Sequence, residues 1–165
     1  MTKPSTYVTV IRTLLGIVFV GGSFVHLYQG LSSPNSYAAF GDTAWPPLDL
    51  LWAGFVMPNM GWLAPCMAAF ELAVGVGTLL RAPWNRLAVL AMTCFFAFIT
   101  VLGYAFPTSS LLEDFLANRA LSLVMILLVV PWLLKPQPLS VPAAWSALVH
   151  RSSRASDARR IASIS

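Results

Sequence analysis

The feature that most constrains this chain is four long apolar runs separated by short polar segments. They cover about Tyr7 to Gln29, Trp62 to Leu80, Trp84 to Tyr104 and Ala117 to Leu134. Each reaches the roughly 20 residues a helix needs to cross bilayer hydrocarbon. In lipid every backbone N–H and C=O must be paired internally, and a helix does this within one segment. The chain is 58% hydrophobic and only 10% charged, where a soluble domain carries about a quarter charged residues. Its 165 residues hold four spans with modest loops and leave no room for a separate soluble catalytic domain. The expected fold is therefore all-α: an integral membrane four-helix bundle over residues 1–134, followed by a tail over 135–165.

The charges orient the bundle. Lys3 and Arg12 precede or open the first run. Arg81 and Arg86 bracket the turn between the second and third, and Lys135, Arg151, Arg154, Arg159 and Arg160 follow the fourth. Nine of the ten basic residues thus fall on one side, which the positive-inside rule makes cytoplasmic. The opposite loops carry Asp42, Asp49, Glu113 and Asp114, with Arg119 the basic exception. Both termini are expected in the cytoplasm, and the protein in a bacterial inner (plasma) membrane as a multi-pass chain. The net charge of +4 then reflects topology rather than nucleic-acid binding. The first run is longer than a signal-peptide core and has no A-x-A site after it, so it is expected to remain in the protein.

The outer loop, residues 31–60, is rich in Pro and Trp. Within it LDLLWAGFVM, residues 48–57, is too short to span and reads as an interfacial or re-entrant helix. Two roles stay open for the loop: a lid over the outer mouth of the bundle, or a packed structural connection. The tail reads as partly disordered and basic, drawn to anionic lipid, with AAWSALVH, residues 143–150, lying in the inner interface. Its RRIAS resembles a basic-directed phosphorylation site.

Helical spacing places polar or small residues in one stripe on each helix. These are Arg12, Gly16, Phe19, Ser23, His26 and Gly30 on the first, and Ala64, Ala68, Glu71, Gly75 and Thr78 on the second. The third gives Arg86, Leu90, Thr93, Ala97, Thr100 and Tyr104, and the fourth Asn118, Ser122, Met125 and Val129. Small residues let helix backbones approach in lipid, so Glu71 is expected to face the bundle interior. Counting the rise per residue puts Glu71 about 13 Å and His26 about 5 Å below the outer edge of the hydrocarbon. Tyr104 and Asn118 fall near the level of His26, and Arg119 enters from the outer side with a side chain long enough to reach inward.

An ionisable residue inside a membrane is costly and marks a site by default. Paired with an imidazole, a carboxyl can pass a proton or hold the head of a small polar ligand. Glu71 and His26 are the expected catalytic pair, with Tyr104, Asn118 and Arg119 placed to bind a cofactor. The bland alternative is that Glu71 only bonds across helices and fixes their register. Arg12, Arg81 and Arg86 read as topology determinants. Cys66 and Cys94 lie at different depths with no CxxC, which disfavours a disulfide and gives no metal-ligand spacing. No phosphate loop or hydrolase motif occurs.

Three segments resemble the DoxX-like family of small four-helix bacterial membrane proteins. They are RTLLGIVFVGGSFVHL, residues 12–27; ELAVGVGTLLRAPWNRLAVLAM, residues 71–92; and NRALSLVMILLVV, residues 118–130. Together they cover most of residues 8–134. Two departures stand out: His26 where many relatives have Lys, and the long outer loop. The resemblance implies a membrane subunit of a redox system in sulfur or oxidative-stress chemistry, since one branch is similar to a subunit of a thiosulfate:quinone oxidoreductase. It further implies a quinone as cofactor and a membrane or periplasmic oxidoreductase as partner, with Glu71 and His26 at the quinone or proton site. Whether the chain is itself an enzyme stays open. The alternatives are a non-catalytic scaffold or anchor for a partner protein, and, less favoured for lack of an inverted repeat, a small-solute transporter. Oligomers are compatible with either.

Overall fold

A computed structural model describes residues 5–134 and 139–150. Among these the regular structure is entirely helical. Four helices are long and apolar enough to cross a membrane: Thr6–Ser32, Leu48–Leu79, Trp84–Leu102 and Leu111–Leu133. They are called the first to fourth helices below. A further helix over 141–150 packs on the start of the first, burying Val141 and Ala144 and donating from Trp145 Nε1 to Thr13 Oγ1 at 3.1 Å. Lys3, Lys135 and the basic tail from Arg151, with its RRIAS, lie outside the described residues.

The second helix departs from expectation. Residues 48–57 do not form a separate short helix; they are the opening turns of one 32-residue helix. Pro58 does not break it, because it sits at the start of a single 3₁₀ turn, Met57–Asn59, where a missing N–H is tolerated. A π turn, Trp52–Val56, precedes it and keeps the chain helical. The fourth helix also opens with a π turn, Phe115–Arg119. Both turns rotate their side chains out of the plain 3.6-residue register.

The first and second helices run antiparallel and pack through small residues. Gly16 lies against Leu79 and Gly75, and Gly30 against Ala64. The second and third meet where Gly77 faces Ala88. The third and fourth are joined by Thr100 Oγ1 and Ser122 Oγ at 2.9 Å. The first and fourth hardly approach along their backbones, although Leu15, Val129 and Trp132 share one apolar core with Phe19, Val74, Met92 and Phe96. A second apolar cluster, nearer the loop, joins Tyr37 and Trp52 to Met60, Ala64, Ile99 and Leu102.

Every member of the second helix's expected stripe is buried, as are Arg12, Gly16, Phe19, Ser23 and Gly30 on the first. The third helix is turned away from its expected face. It buries Asn85, Ala88, Val89, Met92, Phe96 and Ile99, while Arg86 and Leu90 are exposed. Thr93 and Thr100 each bond to the carbonyl four residues back, both at 2.8 Å, and Thr100 also keeps its expected inward contact, to Ser122.

Two buried arginines pin the two ends of the bundle. Arg12 donates to the carbonyls of Thr78 at 3.1 Å, Leu80 at 2.6 Å and Leu139 at 3.0 Å. The first two are orphan acceptors at the end of the second helix, where a cation is favourable. Arg12 therefore does more than set topology: it caps a neighbouring helix. Arg119 does the same for the third helix at the opposite end. It donates to Thr100 O at 2.7 Å and Val101 O at 3.1 Å, and reaches Thr43 O at 2.6 Å. Asp114 pairs with its Nε at 2.8 Å, and the Trp45 ring lies under its guanidinium at 4.4 Å.

Candidate functional site

Glu71 projects from the second helix toward the first, and its neighbour there is Gly22. A Cβ on Gly22 would lie 3.0 Å from Glu71 Oε2 and 3.3 Å from Oε1. The carboxyl thus occupies the notch that a missing side chain leaves. One turn further along the first helix, His26 Nε2 stands 3.5 Å from Glu71 Oε1. Its other ring nitrogen, Nδ1, is 2.7 Å from the Tyr37 hydroxyl. One proton arrangement serves both contacts: Tyr37 donates to Nδ1, and the Nε2–H faces the carboxyl. Glu71 is buried, and its Oε2 has no hydrogen-bond partner.

Tyr37 was not among the expected site residues. It lies in the 3₁₀ turn Pro34–Ala38, far from any periodic stripe, and only the folded loop brings it to His26. The loop is tied down by Trp52, whose Nε1 donates to Tyr37 O at 2.8 Å. Rings then stack in series: His26 on Tyr37, Tyr37 on Phe40, and Phe40 against Trp52, with centroids 5.7, 6.2 and 6.0 Å apart. Burial, with the nearby Glu71 carboxylate second, raises the Tyr37 phenol above its usual pKa.

Below this aromatic roof lies a cavity of about 720 Å³, within the range of about 300–1,000 Å³ usual for small-molecule sites. Its walls are aliphatic and aromatic side chains from all four helices. The ionisable groups that line it include His26, Tyr37, Glu71 and Tyr104. Burial raises the Tyr104 phenol, with a hydrogen bond from Ser122 acting in the opposite sense. The site can therefore offer a carboxyl, an imidazole and phenols to the polar end of a largely apolar molecule.

The expected cluster separates into two groups. Glu71, His26 and Tyr104 line one cavity, but Asn118 and Arg119 do not. Asn118 is fully buried and each of its polar atoms is engaged. Its Oδ1 accepts from Tyr104 N at 3.1 Å and Phe106 N at 2.9 Å, and its Nδ2 donates to Phe106 O and Asp114 Oδ1, both at 3.0 Å. Arg119 is likewise engaged by carbonyls and Asp114. Both residues hold the loop after the third helix, apart from the cavity lining. The physical reason is the helix end and the loop after it: the free carbonyls of the one and the unpaired N–H groups of the other take the nearest strong partners.

Gly103 supports that loop with φ of 87°. A Cβ there would collide with the Thr43 hydroxyl. Cys66 and Cys94 are both free and exposed. The chain matches no protein-family model, no curated protein and no solved structure.

Proposed function

We propose that the protein is a multi-pass membrane subunit of a redox system, DoxX-like in character, whose cavity binds a quinone with its polar head at Glu71 and His26. The observation that carries this reading is the joining of an apolar cavity of about 720 Å³ to a carboxyl–imidazole–phenol series whose carboxyl and phenol are buried. A quinone needs just such a pocket: apolar walls for the ring and chain, and hydrogen-bonding groups at one end. When bound, it supplies a couple that takes up two electrons and two protons. A partner oxidoreductase would supply the electrons.

The chain's own part is with protons and position. Glu71 holds a proton close to the ligand head, and His26 carries it between Glu71 and Tyr37. Tyr37 sets the imidazole tautomer and leads toward the loop. The four apolar helices support lipid contact, and the arginines at the Arg12 end favour a cytoplasmic placement of both termini in a bacterial inner membrane.

The test is quinone-dependent redox turnover of the purified protein with its co-purifying partners, for wild type and Glu71→Gln. Loss of turnover with the fold retained supports the reading, and unchanged turnover refutes it. Absence of turnover in every preparation, with a stable stoichiometric partner, would favour a scaffold.

A further inference from the structure

We infer that the cavity exchanges its occupant with the surrounding lipid through the side of the bundle, between the first and fourth helices. The occupant is then a lipid-soluble amphipath that lodges with its polar head at Glu71 and His26 and its apolar part toward the opening. This rests on the membrane and quinone reading above and adds to it a route and an orientation.

Three observations point to that side. First, Val18 on the first helix and Leu121 on the fourth both line the cavity, yet they are 63% and 51% exposed. A residue that is both wall and outer surface marks a mouth. Second, the first and fourth helices hardly approach one another along their backbones, whereas the first is closed on the second by Gly16, Gly75 and Gly30. Third, the loop face is closed. Tyr37 and Trp52 are buried and stacked through Phe40 above the cavity, so a solute arriving from water meets the aromatic roof. A second flank also reaches the surface, at Cys66 and Phe98 on the second and third helices. Those two helices approach one another along their backbones, as the first and fourth do not, so the passage is assigned to the side beside Val18.

The orientation follows from where polarity sits. His26, Tyr37 and Glu71 lie together at the roof end. The surroundings of Val18, Leu121 and Phe19 are apolar. A molecule with one hydrogen-bonding end and one greasy end satisfies both only with its head inward.

The experiment uses the full chain in phosphatidylcholine nanodiscs. Decylubiquinone is mixed in, and its arrival is followed by stopped-flow quenching of tryptophan fluorescence. The Val18→Phe/Leu121→Phe variant narrows the proposed mouth, and Cys66→Phe narrows the other flank. Both positions of the double variant already face outward, so the unfolding midpoint should stay within a few degrees; either single change serves if the double does not fold. The expected result is association at least tenfold slower in the double variant and unchanged in Cys66→Phe. Wild-type rates in the double variant, or slowing in Cys66→Phe instead, overturn the route while leaving quinone binding standing. No quenching by decylubiquinone in the wild type overturns both the route and the quinone reading.

Discussion

Adding one methyl group at Gly22 should change ligand affinity without lowering stability, and the same change at Gly75 should do the reverse. At Gly22 the new Cβ would meet only the end of the Glu71 side chain, at 3.0 Å from Oε2, 3.3 Å from Oε1 and 3.4 Å from Cδ. That end can swing away, and a retreat of about 0.4 Å restores ordinary contact. Replacing a helical Gly by Ala contributes up to about 1 kcal/mol in the other direction. Net stability should therefore be unchanged or slightly higher. The retreat does alter the site, since the carboxyl is located by this notch and stands 3.5 Å from His26. Losing one hydrogen bond to a ligand head costs about 1 kcal/mol, or a Kd about fivefold weaker. At Gly75 the Cβ would meet backbone: Val20 N at 2.9 Å and Gly16 O at 3.0 Å, with Val20 Cγ2 at 2.8 Å. Neither helix can yield locally, so the pair must separate. Overpacking of this kind costs about 1–3 kcal/mol. Thermal unfolding in nanodiscs and decylubiquinone titration by tryptophan quenching measure the two effects. If Gly22→Ala destabilises as strongly as Gly75→Ala and leaves Kd unchanged, the notch is only a packing contact and the argument fails.

Other expectations concern the remaining polar groups. Arg119→Ala should destabilise by about 3–5 kcal/mol, because it leaves a carboxylate and several carbonyls without their partner, yet the surviving folded fraction should bind decylubiquinone with wild-type affinity. A large change in Kd at matched folded fraction would return Arg119 to the binding site. Arg12→Ala should free the end of the second helix and raise amide exchange at residues 79–81 before it does so near Glu71; uniform exchange along the helix would contradict the cap. The Tyr37 and Tyr104 phenols, both raised in the fold, favour their neutral forms there. Their contribution to stability is complete below the ordinary phenol pKa of about 10 and is lost as pH rises from there through the raised values. Tyr37→Phe should flatten that alkaline decline in unfolding midpoint, and an unaltered slope would count against it.

Much of the fold was legible because lipid makes small and polar residues informative. Gly16, Gly30, Ala64, Glu71 and Gly75 could be assigned to an interior face from spacing alone, since close helix approach needs them there. The third helix misled for the same reason in reverse. Thr93 looks like an interior polar residue, but a hydroxyl that bonds to its own helix carries no information about direction; Thr100 does reach Ser122 across the bundle. Residues 48–57 read as a separate short helix because ten residues are too few to span; a 3₁₀ turn at Met57–Asn59 instead carries the helix on past Pro58. Glu71 and His26 were legible as a pair from depth. Tyr37 was not, because its place depends on how the 15 residues of connection between Ser32 and Leu48 fold. Asn118 and Arg119 were visible as unusual residues, but the backbone groups they satisfy belong to the end of the third helix and the loop after it, which no periodicity reveals.

The two buried arginines bear on how such a chain can be made. Arg12 joins the first helix to the end of the second, and Arg119 joins the fourth to the end of the third. Each guanidinium finds two of its three carbonyl acceptors as soon as its own hairpin closes, and the third, Leu139 O for Arg12 and Thr43 O for Arg119, comes from outside that hairpin. During synthesis the ribosome delivers the hairpins in turn, and neither must carry an unpaired charge through the bilayer while waiting for the other. The cavity, by contrast, exists only once the two hairpins have docked. Biogenesis of the scaffold and completion of the binding chamber are thereby separate events in the life of the protein.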